Sequence, residues 1–312
     1  MPLGLQGHGR PRRWPQGQRI ARTRARCRYG NAAARRFCIR KAVLPGTLGT
    51  HWSVSAGRQY SPINTLIAAS DAFGQTYWGN SQGTGIGQQS PNATPATGGF
   101  QAAARINNSL LYSSTYGAWT ARVMGSSGDE IKSAGRSIGA SLAYQSGPAF
   151  ASVAVHRGRQ FAADIPAGAT PDWQQSWAVG GAYDFSLVKL FGGYYRFTPS
   201  TDNLKVTAAT TLRSESGWLG ARIPVSPNNT VITQLMLSRY RHMDGVENGK
   251  ALTMGLAFEH ALSKRTALYA AWGRLNNNAT SSNWLWGSTV VATPARAGAD
   301  VSALSVGMWH RF

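Results

Sequence analysis

The sequence predicts an all-β chain whose antiparallel strands form a transmembrane barrel, and three observations predict it. Apolar and polar residues alternate over segments of about ten residues. Tight connections take turns with long polar ones. No run of 18 or more apolar residues is present, so no membrane-crossing helix is encoded, while barrel strands need only about 9–11 residues each. Composition agrees: 36 Gly beside 11 Trp, 11 Tyr and 10 Phe suits sheets with tight turns.

Alternation places strands near 51–60, 104–113, 117–126, 135–146, 148–158, 174–186, 187–197, 214–225, 229–241, 249–262, 264–275 and 302–312. Side chains at i and i+2 share a face of a strand. Ile138, Ala140, Leu142 and Tyr144 therefore oppose Ser137, Gly139, Ser141 and Ala143, and Trp177, Val179, Tyr183 and Phe185 oppose Ala178, Gly180 and Asp184. In the last segment Leu304, Val306, Met308, His310 and Phe312 line one side, with Ser305, Gly307, Trp309 and Arg311 on the other. Connections are tight at 115–117, 146–147, 185–186 and 262–264, and long at 159–173, 198–213 and 276–301. Short turns on one rim and long loops on the other are the layout of an outer-membrane barrel; a soluble sandwich has shorter strands and no such division.

Two stretches depart from this pattern. Residues 61–99 are too long for an ordinary connection, open with the apolar-rich PINTLIAAS that suits a helical turn or two, and are expected to fold into the lumen. Residues 1–50 carry 11 Arg and 1 Lys with no Asp or Glu, a net +12 of the total +20, together with both cysteines, Cys27 and Cys38. The other 262 residues contain no cysteine and carry a net +8.

The motifs GRQYSP (57–62), SDAFG (70–74), RINNSLLY (105–112), LSKRTALYAAW (262–272) and SVGMWHRF (305–312) resemble those of the Gram-negative general porins of beta-proteobacterial type, and the likeness runs through 51–312. The resemblance implies a sixteen-stranded, homotrimeric, water-filled barrel in the cell outer membrane, of which about 12 strands are recognisable here. It implies passive diffusion of small hydrophilic solutes and ions, without cofactor or catalytic residues, and it makes Phe312 the signal read by the outer-membrane assembly machinery. Arginines on the wall would face acidic groups on the inward loop, and the matching positions are Arg58 and Arg105 on the wall and Asp71 on the loop. By alternation Arg105 shares a face with Asn107 and Ser109 and points into the lumen, whereas Arg58 shares the face of Trp52, Val54 and Ala56. Either Gly57 introduces a bulge that re-aims Arg58, or it sits at the rim. The net +8 of the porin-like part favours anions.

Competing chemistries lack context. GNSQG (79–83) matches the nucleophile-elbow pattern without its strand-to-helix setting. GTGIG (83–87) lacks nucleotide-fingerprint spacing, and the histidines form no metal-binding pair. A barrel enzyme of phospholipase type would need an exterior Ser and His together. The basic N-terminus has no nucleic-acid reading module beside it, so no nucleic-acid partner is expected. Residues 51–312 are expected to form the barrel, and residues 1–50 a basic, non-homologous segment, disordered or translated out of frame. Codons can be chosen for residues 3–18 so that a one-base shift restores the family's W-G-x-K-G-T-E-D-L-G-G-G-L-K-A. Lacking a signal peptide and about four strands, this chain is expected to be neither exported nor closed, since an open edge in lipid strands backbone groups at several kcal/mol each. Sequencing the locus checks the frame: the reading expects a single-base shift before codon 51, and an intact frame from an upstream signal peptide into GRQY contradicts it.

Overall fold

A computed structural model describes residues 42–44, 51–81, 104–128, 135–159, 173–198, 212–242, 247–281, 283–287 and 290–311. Phe312, residues 82–99 of the long loop and all of 1–50 except 42–44 lie outside the described residues. All twelve expected strands are present, with ends moved by three residues or fewer. They are β2 (Trp52–Tyr60), β3 (Arg105–Tyr116), β4 (Trp119–Ser126), β5 (Ser137–Ser146), β6 (Ala149–Arg159), β7 (Trp173–Asp184), β8 (Lys189–Thr198), β9 (Leu212–Ser226), β10 (Asn229–His242), β11 (Glu247–Ala261), β12 (Thr266–Asn277) and β15 (Val301–His310). Three short strands were not anticipated: β1 (Ala42–Leu44), which pairs with β2, and the hairpin of β13 (Leu285–Gly287) and β14 (Val290–Ala292) inside the 278–300 connection.

Each long strand pairs antiparallel with its sequence neighbour, so the sheet runs in order from β1 through β12 to β15. Side-chain exposure alternates with the predicted period, but in the opposite sense to a soluble sheet. Leu304, Val306 and Met308 are 71%, 75% and 62% exposed, while Ser214 and Ser216 are 0% and 1% exposed. On β5, Ser137, Gly139, Ser141 and Ala143 are buried and Ile138 and Leu142 exposed, as the sequence predicts. Large apolar groups outside and serines inside invert the usual arrangement, and only a hydrocarbon exterior makes that favourable.

Aromatic pairs stand where the apolar face meets its two edges. Trp119 with Tyr144 (4.9 Å between centroids) and Tyr183 with Phe185 (4.5 Å) lie near the tight turns, and Trp177 with Tyr194 (5.3 Å) lies toward the long connections. Amphipathic rings at both interfaces match the girdles of membrane barrels. No helix among the described residues is long and apolar enough to cross a membrane.

The concave side holds the start of the long loop. Ser61 caps α1 (Pro62–Ala69): its Oγ accepts from the Asn64 N–H (3.2 Å), and Pro62 at the first helical position loses no bond it could have made. Ile63, Leu66 and Ile67 pack with Ala154, Ala178, Tyr195 and Met236 from β6, β7, β8 and β10. Phe73 and Trp78 join a second cluster with Ala257, Ala271 and Leu275 from β11 and β12. A segment of 21 residues can touch strands from β6 to β12 only if the sheet curls around it.

Candidate functional site

The loop is seated by backbone contact with a wall stripped of side chains. A Cβ on Gly255 of β11 would come within 2.6 Å of the Phe73 ring and 2.7 Å of the Trp78 carbonyl oxygen; one on Gly273 of β12 would lie 2.7 Å from the Trp78 Cβ. Gly79 answers from the loop side: its φ of +85° suits glycine, and a Cβ there would strike the Gly255 Cα at 2.6 Å. Side chains then pin the segment. The Trp218 indole N–H donates to the Ser70 carbonyl (2.8 Å), and Gln234 Oε1 accepts from the Ala72 N–H (3.0 Å). The Tyr77 hydroxyl donates to Glu259 Oε1 (2.6 Å), whose other oxygen accepts from Arg222 (3.1 Å). Burial first, then the Glu259 carboxylate, raises the Tyr77 hydroxyl above its ordinary range, which keeps it a donor.

Asp71, the expected loop charge, is buried and spent on the loop's own geometry. Oδ1 accepts from the Phe73 N–H (3.0 Å), and Oδ2 accepts from the Gln75 N–H (2.9 Å), the Ser81 N–H (3.0 Å) and the Ser81 hydroxyl (2.7 Å). Burial pushes this carboxyl up from its usual range, and the donors from Ser81, Phe73 and Gln75 oppose that. The same bonds dispose of the GNSQG motif, because Ser81 serves the Asp71 carboxylate.

The wall arginines are not brought to Asp71. The register between β2 and β3 shifts at Gly57/Gln59, one of the two alternatives foreseen for Arg58. Gly57 pairs with Ser109 and Gln59 with Ile106, so β3 uses three residues where β2 uses two, and the surplus falls at Asn107–Asn108, with Asn108 at φ +49°. Arg58 nevertheless stays exposed, while Ser55 and Gln59 are buried on the other side. The same bulge corrects the face of Arg105: Ile106 and Ser109 are buried together, and Arg105 points away from them, its guanidinium stacked 4.6 Å from the Tyr60 ring centroid and hydrogen-bonded to that hydroxyl.

Charges that do face inward come from positions the motifs did not mark. Arg122 shares the face of the fully buried Met124, half-buried, and no carboxylate among the described residues pairs with it. Near the tight turns Lys189 lies over Phe191 (5.5 Å) and opposite Arg222, and Arg311 lies over Trp309 (4.8 Å). Phe73, Tyr77, Arg222, Glu259, Trp309 and Arg311 help line a cavity of about 630 Å³ beneath the loop. Against these four cations, Asp184 and Glu259 are the inward carboxylates among the described strand residues. Parity alone could have found Arg122, which alternates with Ala121 and Val123 in GAWTARVMGS. Among the described residues no group of three His, Cys, Asp or Glu could hold a metal ion.

A family profile described as Gram-negative porin matches residues 47–280. Outer membrane porin protein 32 of Delftia acidovorans is 28% identical over 291 residues, covering 91% of this chain and 76% of the relative. Among solved structures, an anion-selective porin from Comamonas acidovorans superposes with a TM-score of 0.71 at 25% identity, covering 91% of this chain and 80% of that one. A trimer form of an outer-membrane protein of Vibrio cholerae superposes at 0.60 and 11% identity, covering 84% and 78%.

Seating of the loop is testable by substitution. Gly255→Val removes the room for Phe73 and Trp78, and Asp71→Ala orphans donors at about 1–3 kcal/mol each. Both are expected to raise and destabilise single-channel conductance in a planar bilayer; conductance indistinguishable from the parent would contradict the seating.

Proposed function

The chain belongs to the Gram-negative porin family, an outer-membrane channel rather than an enzyme, and from that footing we propose that it passes small hydrophilic solutes and prefers anions. What supports the preference is the sign of the inward charges: among the described residues Arg122, Lys189, Arg222 and Arg311 outnumber Asp184 and Glu259, and Asp71 is turned into the loop rather than toward the bore. A positive lining raises the local concentration of anions and opposes cations, more strongly where low-dielectric walls focus the field. The anion selectivity of the Comamonas acidovorans relative points the same way.

We propose the same inward set as the selectivity determinant. Residues 61–99 narrow the bore, Asp71 shapes its inner part, and Arg58 and Arg105 act at the rim, where they would meet solutes before the narrowing. With the strands expected to be missing supplied in frame, residues 51–312 close as the barrel, assemble as a homotrimer, and present Phe312 to the assembly machinery. Permeation is hydrated diffusion down a gradient: the wall supplies serine hydroxyls and fixed charge, and no covalent step is required.

Reversal potentials in a KCl gradient test this. An anion-selective value is expected, moving toward zero in Arg122→Gln/Arg222→Gln with conductance retained. A cation-selective parent, or a double variant with unchanged selectivity, contradicts the assignment.

A further inference from the structure

The cavity beneath the loop is walled with rings, which passive permeation does not require. Phe73, Tyr77 and Trp78 from the loop, Tyr269 from β12 and Trp309 from β15 all border its volume of about 630 Å³. Small-molecule pockets span about 300–1,000 Å³. Phe73 meets Tyr77 edge to face, with 6.2 Å between centroids and 84° between planes, and Tyr77 meets Tyr269 at 4.8 Å with a tilt of 47°. Gly307, opposite Tyr269 in the register, gives that phenol its room: a Cβ there would come within 2.7 Å of the Tyr269 hydroxyl. Phe73, Tyr77 and Trp78 are buried, while Tyr269 and Trp309 keep part of their surface open.

Charge in the cavity has one sign to spare. Glu259 commits one oxygen to the Tyr77 hydroxyl (2.6 Å) and the other to Arg222 (3.1 Å). Arg311 lines the same cavity, is exposed, and has no carboxylate partner among the described residues. Its guanidinium lies over the Trp309 ring at 4.8 Å. A guanidinium stacked by its face keeps its N–H groups free at the edge, where a planar carboxylate can accept two of them. Two guanidiniums against one carboxylate thus attract a single anion, and the rings beside them decide which kind.

We propose that this cavity binds an aromatic carboxylate, with the carboxyl group on Arg311, the Arg222 charge in support, and the ring against Tyr269 and Trp309. The inference rests on the channel reading, which opens this face to solutes in the bore. Chloride or an aliphatic acid would meet the same charge and leave both rings wet. A neutral aromatic would stack and leave Arg311 unpaired. Only a ring that carries a carboxylate uses both halves of the site, and ring against ring favours the offset or edge-on contacts already present between Phe73, Tyr77 and Tyr269.

Saturation-transfer NMR of the full chain in detergent, titrated with benzoate, tests the proposal, with cyclohexanecarboxylate, acetate and benzamide as comparison probes and detergent alone as the blank. Benzoate is expected to bind about tenfold more tightly than any of the three. Arg311→Gln is expected to weaken it about tenfold, as loss of a charge-assisted contact implies. Tyr269→Leu, which keeps apolar bulk and removes the ring, is expected to abolish the advantage of benzoate over cyclohexanecarboxylate. Because Arg311 is exposed, its replacement tests the charge without unseating the loop. Arg274→Gln, paired with Asp300 and outside the cavity lining, is expected to leave binding unchanged. Equal binding of cyclohexanecarboxylate or benzamide, or undiminished benzoate binding in Arg311→Gln, would each overturn it. Bilayer conductance, measured alongside, separates the two readings: a chain that conducts chloride and gives benzoate no saturation contradicts this inference alone, and a chain that does not conduct contradicts the channel.

Discussion

Hydrocarbon on the outside of a sheet removes the usual driving force for hiding leucines and replaces it with another demand: every backbone N–H and C=O that faces lipid must be paired within the protein. The antiparallel ladder meets that demand between each neighbouring pair from β1 to β12 and on to β15, which leaves the outer edges of β1 and β15 as the places where, among the described residues, it is not met. Once it is met, side-chain parity decides everything else. Val153, Val155, Val179 and Leu256 are free to stay exposed, and the alternate positions are free to be serine, glycine or alanine, because a wet interior asks for no oily filling. The inverted burial is a consequence of the solvent, not a defect of packing.

The small inner face has a second consequence. A bore lined with Gly180, Gly220, Gly255 and Gly273 is wide enough to receive chain, and residues 61–81 occupy it with backbone almost touching backbone. Asp71 closes the loop on itself, while Trp218, Gln234 and Glu259 hold it from the wall. On the proposed reading, narrowing and selectivity fall to different residues, the loop to the width and the wall cations to the sign. The glycines that look expendable in the sequence are the positions where an added methyl would push the obstruction out.

Much of this is legible in the sequence. Period-two alternation fixed twelve strands and their faces because one strand face is apolar and the other small, as in Ile138–Tyr144. The helix in PINTLIAAS could be read from its apolar spacing and the Ser-Pro start. What escaped is instructive. Parity with Ser109 turns Arg105 inward, and one surplus residue at Asn107–Asn108 reverses it; a bulge has no strong sequence signature, and Gly57 marks the right place while the neighbouring strand carries the surplus. Asp71 matches the family's loop charge by position, yet its bonds to Ser81 depend on how the loop folds back, which spacing does not show. Arg122 is visible by parity alone, at a position that no family motif marks.

Site-directed spin labelling along β7, residues 176–183, in a background with Cys27 and Cys38 replaced by serine and the chain in lipid vesicles, tests the central claim most directly. The account predicts that oxygen, which concentrates in hydrocarbon, reaches labels at 177, 179 and 183, and that labels at 176, 178, 180 and 182 respond to a water-soluble nickel complex or are shielded by α1. Uniform accessibility along the strand, or oxygen maxima at the even positions, would contradict it.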